Sequence, residues 1–485
     1  MYYKPHDTAC VPKTWNISDD LGQIEYIFSD KTGTLTQNIM EFQKCSIHGT
    51  AYGEGITEAQ RGSAVREGRT QELDPKEMEK RLRKLKDDMI RTMEHAFKNR
   101  YLQRGKLTLI SPRLAADMVD REGAQRERIA AFFRALAICH SVLPDRPDAQ
   151  NDPWKVAYKA ESPDEAALVA AARDVGFPFI ARTKDGIDIE VMGQPERYVP
   201  LKVLEFNSTR KRMSVIVRRP DGRLTLYCKG ADSVIYARLR ADHDPWLKEQ
   251  TSKDMEMFAN NGLRTLCIAS REMSEDEFLV WSRIYDVATS TLENRDEAIE
   301  KACEMVERDL DILGATALED KLQEGVPDAI EMLHRAGIKL WILTGDKLQT
   351  AIEIGYSCNL LKSTMEVMII SADSPEETRS QIEGGLNKIA SVLGPPPMGM
   401  KRKNQEERGF VVGAQASFAV VIDGDTLTHA LTPDLKPLFL SLGTQCETVV
   451  CCRVSPAQKA LTVKLVSFFV LVYSSQLVDS TSFCR

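Results

Sequence analysis

Residues 24–36, Ile-Glu-Tyr-Ile-Phe-Ser-Asp-Lys-Thr-Gly-Thr-Leu-Thr, constrain the fold of this chain more than any other stretch. Residues 24–28 form a short apolar run of β-formers without proline, which predicts a buried parallel strand. Asp30 then falls at the strand's carboxyl end, where open α/β sheets place their chemistry. Gly33 permits a tight turn that aims backbone N–H groups and the hydroxyls of Thr32 and Thr34 inward. Such a nest suits a phosphate and a hard cation. A carboxylate so placed can act as the nucleophile of phosphoryl transfer and form an aspartyl-phosphate. The plainer reading is an aspartate ending a strand before an ordinary turn.

Later segments supply companions for that strand. Residues 326–336 predict a helix with Gly337 as its C-cap, and 338–343 a buried strand delivering Thr344-Gly345-Asp346-Lys347 at its end. Residues 419–423 and 448–452 read as further core strands, and Ser455-Pro456 opens a helix that carries Lys459. Strands alternating with helices predict a doubly wound parallel sheet.

The interval between the two halves has a different character. Residues 54–128 are polar and charge-rich; Asp74 and Pro75 open a helix on which Leu82, Leu85, Met89, Met93 and Phe97 share one face. Mixed charge favours an amphipathic helix packed on its own domain over a docking helix. Residues 128–141 predict a second helix, with Ile129, Phe132, Phe133, Leu136 and Ala137 on a core stripe. Ser162, Pro163 and Glu165 form a capping box at the start of a third. Strands follow at 199–206 and 213–217, then an Asp221-Gly222 hairpin leads into 224–230, giving an antiparallel sheet. Further on, 371–410 reads as an insertion. Ser374 caps a helix ending near 393, followed by a solvated loop holding Pro395 to Pro397 and the basic triplet Lys401-Arg402-Lys403.

Composition narrows the function classes. The 485 residues suffice for two or three domains, and the net charge of −7 comes without a basic stripe interleaved with aromatics, so nucleic acid is not an expected partner. Eleven scattered cysteines without a Cys-x-x-Cys pair fit reduced thiols better than a disulfide frame. The longest apolar run, 465–473, is far short of the roughly 20 residues of a spanning helix.

The run Asp30-Lys-Thr-Gly-Thr-Leu-Thr36 resembles the phosphorylation signature of P-type ATPases. The longer context from Val11-Pro-Lys-Thr-Trp to Gln37-Asn38 is similar to the P4 class, the phospholipid flippases, and above all to their fungal plasma-membrane members. The resemblance implies a haloacid-dehalogenase-like phosphorylation domain interrupted by a large α+β nucleotide-binding domain. It implies ATP and Mg²⁺, with Asp30 as phosphoryl acceptor, Lys31 and Thr32 contacting the nucleotide, and the Thr32 carbonyl joining Asp30 on the metal. Thr344, with Gly345 and Asp346, would hold the transferring phosphoryl group, and Lys459 would be the fixed cation beside it, with Arg453 a companion contact. In the insertion it places Phe206 on the adenine, Glu165 and Lys229 beside the base, Ser208 and Lys211 as further contacts, and Arg264 on the phosphates. For three of these the plainer readings are a core phenylalanine at 206, a solvated strand-end lysine at 229 and a helix-end arginine at 264.

The expected layout is 1–45 and 313–466 for the phosphorylation domain, 46–312 for the nucleotide-binding domain, and 467–485 as an aberrant tail. There the family's Gly-Asp-Gly-x-Asn-Asp loop is replaced by Ser467-Phe-Phe-Val-Leu-Val-Tyr473, with 468–473 a candidate substitute strand and Asp479 a candidate stand-in for the lost metal ligand. The resemblance further implies a phospholipid substrate, a Cdc50-type accessory subunit, and residence at the cytosolic face of a plasma, Golgi or endosomal membrane. It also implies an actuator domain and membrane helices that this chain does not contain.

Overall fold

The computed structural model describes residues 2–3, 7–9, 11, 22–68, 75–147, 150–207, 209–291, 294–393 and 417–479. The chain divides into two compact units, one made of Met1–Thr36, Gly62–Gly68 and Leu322–Arg485, the other of Gln37–Arg61 and Arg69–Lys321.

The first unit is built on a five-stranded sheet in the order Met365–Ile370, Ser417–Asp423, Thr448–Cys452, Lys339–Leu343, Tyr26–Asp30, with every pair parallel. Side chains alternate across it. Val420 and Ile422 face Ile382 and Ile389 of helix Pro375–Leu393 and Phe439 and Leu442 of helix Lys436–Gln445. Ala419, Val421 and Val450 turn the other way, onto Ala351, Ile352 and Tyr356 of helix Leu348–Ser357. Burial on both faces is why these strands read as unbroken apolar runs rather than alternating ones. Tyr26–Asp30 is the exception: it lies at the sheet's edge, and its first four residues are only partly buried. With a strand on one side only, it has half the cover expected of it.

Residues 468–473 do not add a strand. They continue the helix Pro456–Asp479, since nothing after Pro456 breaks a helix. Asp479 is that helix's last residue, and its side chain lies outside the described residues, as do Ser208, Asp74 and the loop 394–416.

The second unit carries a nine-stranded sheet ordered Thr50–Tyr52, Thr36–Ile47, Asp311–Leu322, Arg264–Met273, Leu224–Gly230, Arg212–Arg218, Gln194–Leu204, Ile187–Val191, Phe179–Arg182. Its registered pairs are antiparallel. Gly222, at φ 86°, makes the expected hairpin turn. One face packs on helices Pro75–Ala96 and Ala124–Ile138, whose stripes bury Met89, Met93, Ile129, Phe132, Phe133 and Leu136. Helix Pro75–Ala96 therefore spends its apolar face on its own domain. The opposite face packs on Leu247, Met255, Phe278, Trp281 and Cys303. Among the described residues all nine cysteines are free and buried, and no helix is long and apolar enough to cross a membrane.

Two packing details generate predictions. Gly443 lies inside helix Lys436–Gln445, where alanine ordinarily gains about 1 kcal/mol. A Cβ there would meet the Trp341 ring at 2.7 Å. Overpacking of about 1–3 kcal/mol wins, so Gly443→Ala is expected to lower the melting temperature. His140 is fully buried; its Nδ1 accepts from the Val142 N–H at 3.1 Å and its Nε2 donates to the Ala137 carbonyl at 2.9 Å. Burial, with Lys229 and Arg182 nearby, lowers its pKa to about 3. The unfolded chain thus takes up a proton from about pH 6.5 downward that the native state refuses until about pH 3. The stability this neutral ring supplies is complete above pH 6.5 and declines as pH falls through that window. Denaturant titrations of wild type and His140→Gln should show a shallower acid decline in the variant.

Candidate functional site

The parallel register sets the geometry of the first unit's site. Leu343 pairs with Asp30 on one side and with Cys451 on the other, and Cys452 pairs with Asp423. All four strand ends therefore finish at one level, and the loops that follow them meet. The loop after Asp30 winds through Lys31–Leu35 as one wide turn closed by the Thr36 N–H on the Lys31 carbonyl. Gly33 takes φ 77°, and its N–H donates to Thr36 Oγ1 at 3.1 Å, so Thr36 fixes the turn from below.

Asp30 ends its strand with the carboxylate half exposed. Oδ1 accepts from the Lys31 N–H at 2.8 Å, and Oδ2 accepts from Lys459 Nζ at 2.8 Å. Lys459 is aimed by the start of its helix. The Gln458 N–H donates to Ser455 Oγ, the Ser455 N–H donates to Gln458 Oε1, and Gln458 Nε2 donates to the Gly424 carbonyl at 2.6 Å. The second loop joins through its backbone. The Thr344 N–H donates to the Cys451 carbonyl, the Val454 N–H to the Thr344 carbonyl, and the Arg453 N–H to the Asp346 carbonyl. Arg453 adopts a left-handed φ of 53° to do so. Thr344 is buried, and its Oγ1 accepts from the Asp346 N–H at 3.1 Å. Asp30, Thr344, Gly345, Asp346, Arg453 and Lys459 are thus brought together.

Lys31 is buried, and its ammonium pairs with Asp346 Oδ2 at 2.7 Å, tying the first loop to the second. One acidic residue at this level was legible only as a strand end: Asp423 accepts from Ser371 Oγ at 2.6 Å and from the Thr426 N–H at 2.9 Å. Burial pushes its carboxyl up, but these hydrogen bonds outweigh it and hold it below the usual range.

The second unit has its own polar cluster. Glu165 Oε1 accepts from Lys229 Nζ at 2.5 Å, and Oε2 accepts from Ser141 Oγ at 2.6 Å. Burial raises its pKa less than Lys229 and Ser141 lower it, so the carboxylate stays ionised. The expected capping box does not form. Ser162 makes no side-chain cap bond, and Glu165 is drawn instead to an ammonium that outcompetes a backbone N–H. Lys229 lies within its strand and is buried, not solvated. Arg264 opens a strand rather than ending a helix, and its Nη1 stands 3.4 Å from Asp164 Oδ1, beside Glu165. Phe206 is no core residue: it follows strand Gln194–Leu204 with its ring 63% exposed. Lys211 is exposed, and its carbonyl accepts from the Ala231 N–H at 3.1 Å, which puts it next to Lys229 and Gly230. Ser141 and Asp164 were missed; no spacing rule marks either one.

The Lys31–Asp346 pair gives an asymmetric prediction. Asp346→Asn removes the carboxylate that faces a buried ammonium and should cost about 3 kcal/mol, whereas Lys31→Met leaves a carboxylate whose side chain is partly exposed and should cost less. In denaturant melts the double variant should recover much of the Asp346→Asn loss.

Comparison with known proteins bears on the same residues. Residues 128–325 match the family described as P-type ATPase, cytoplasmic domain N. The phospholipid-transporting ATPase DNF1 of Chaetomium thermophilum is 46% identical over 476 residues, covering 96% of this chain and 30% of that protein. Phospholipid-transporting ATPase dnf2 of Schizosaccharomyces pombe is 47% identical over 470 residues (96% and 33%), and DNF2 of Saccharomyces cerevisiae 44% over 499 (99% and 31%). The chain spans about a third of the length of these curated relatives. Residues 128–325 thus match cytoplasmic domain N of the P-type ATPases, and almost the whole chain is similar to about a third of each of these phospholipid-transporting ATPases.

Proposed function

We propose that this chain is the ATP-binding and phosphoryl-accepting part of a phospholipid-translocating ATPase, with Asp30 as the acceptor. The observation that carries the reading is a half-exposed carboxylate at a parallel strand's end with Lys459 Nζ 2.8 Å away and the Thr344 loop hydrogen-bonded to the same level. ATP is gripped through Phe206, Glu165, Lys229, Lys211 and Arg264, with Ser208 a further contact. An exposed aromatic ring beside buried charge suits a stacked base, and stacking contributes ~1–3 kcal/mol. Arg264 exchanges its long contact with Asp164 for the phosphates.

Asp30 then attacks the γ-phosphorus, the bond to the β–γ bridging oxygen breaks, and ADP leaves. Lys459 and the Thr344 hydroxyl, with the N–H groups of Gly345 and Asp346, offset charge on the equatorial oxygens. Lys31, locked onto Asp346, acts by holding the two loops in register, and Arg453 by its backbone bond to Asp346. Mg²⁺ fits this donor set: Asp30 and the Thr32 carbonyl are hard oxygens, and this cation commonly takes one or two protein ligands with phosphates and water completing the shell. Bound there, it would neutralise phosphate charge. Thr32 stands where a phosphatase of this kind would place an acid–base carboxylate, so the acyl-phosphate persists. In the complete protein that lifetime is coupled to moving phospholipid toward the cytosolic leaflet, with a Cdc50-type subunit as partner, at a membrane's cytosolic face.

A second reading, nucleotide binding without turnover, is favoured by one observation: the helix Pro456–Asp479 runs on through the stretch where the family turns to a strand and its metal loop. Incubation with γ-labelled ATP and Mg²⁺, then acid quench, separates the two. Label held by wild type and lost in Asp30→Asn supports transfer. ATP binding without label supports the second reading, and fast hydrolysis of a generic phosphate ester would overturn both. Phe206→Ala should weaken ATP binding by roughly 5- to 150-fold, the equivalent of the stacking energy.

A further inference from the structure

Arg210 and Arg212 flank Lys211, and both turn inward while Lys211 stays exposed. Their common target is Glu307, fully buried at the end of helix Arg295–Val306. Arg210 Nη2 donates to Glu307 Oε1 at 2.5 Å, Arg212 Nε donates to Oε2 at 2.6 Å, and Ser214 Oγ donates to Oε1 at 2.5 Å. The same two guanidinium groups also bind backbone. Arg210 Nη1 donates to the Glu205 carbonyl at 2.8 Å, and Arg212 Nη1 donates to the Arg210 carbonyl at 3.2 Å.

The segment so clamped is strained. Lys211 has φ 51°, a left-handed conformation that costs a non-glycine residue free energy and persists only when its surroundings fix it. The strain sits at the end of a turn held by Asn207, which follows Phe206: the Lys211 N–H donates to the Asn207 carbonyl, and the Arg210 N–H to Asn207 Oδ1. Two cations on one anion are a poor choice for stability alone, because desolvating three charges offsets most of their attraction. Their geometric effect is specific. Each arginine is pinned at both ends, once to Glu307 and once to the loop backbone.

We propose that Glu307 is a positioning residue for ATP binding: it holds Arg210 and Arg212 so that Lys211 and Phe206 are presented to the nucleotide in one conformation. This rests on the nucleotide reading above. The test titrates ATP by calorimetry into the whole chain and into Glu307→Gln, Lys211→Ala and the double variant, well below each melting temperature. Amide exchange at residues 205–212 and at Ala231 is followed without nucleotide. The expected result is about tenfold weaker binding for Glu307→Gln, faster exchange at Lys211 and Ala231, and almost no further loss when Lys211→Ala is added. A merely structural role would lower the melting temperature with ATP affinity and loop exchange unchanged, and that outcome overturns the proposal, as does full additivity of the two substitutions. If Glu307→Gln does not fold, Glu307→Asp carries the same comparison, since it keeps the charge but falls one methylene short. ATP binding by the parent chain that Glu307 variants leave intact defeats positioning alone; no ATP binding by the parent defeats the nucleotide reading as well.

Discussion

Parallel registration of four strand ends is the constraint on which the first unit depends. Because Asp30, Leu343, Cys451 and Asp423 finish at a common level, loops far apart in sequence can exchange backbone hydrogen bonds. Much of the positioning at that level is therefore done by backbone. Lys31 and Lys459 are the long reaches, and Gln458 binds the Lys459 helix to the neighbouring Gly424 loop before that ammonium extends.

Electrostatics in the two units follow contrasting designs. Around Asp30 the carboxylate is half exposed and contacts one ammonium. At Glu165 and Glu307 the carboxylates are covered, and each is matched by more than one donor. Burial there makes a lost partner expensive, which serves rigidity rather than reactivity. Such matched carboxylates can hold a loop in a conformation that its own sequence would not favour.

The parallel sheet was legible because strands buried on both faces leave continuous apolar runs, and because Gly33 and Gly337 mark turns that need positive φ. Asp30 could be placed from its strand end alone; Thr344 and Lys459 sit at a strand end and a helix start, but only the family resemblance singles them out. The Lys31 ion pair was not legible because a motif records which residues recur, not which way they point; its partner Asp346 lies more than 300 positions away. The capping box at Ser162 failed for a related reason. Local spacing cannot register a strand lysine that arrives from elsewhere in the fold and offers a stronger partner. The strand expected at 468–473 went the same way, for an apolar run of that length fits a helix equally well and only its neighbours decide.

The bond between Asp30 and Lys459 joins positions 429 residues apart. Translation at roughly 5–20 residues per second leaves the first strand waiting tens of seconds for its partner at Lys339–Leu343. During that delay the whole second unit, Gln37–Lys321 apart from one short excursion, has emerged with a nine-stranded sheet to assemble. An unpaired, half-apolar edge in the company of so many nascent strands is an opportunity for wrong pairing until Lys339–Leu343 arrives to cover it.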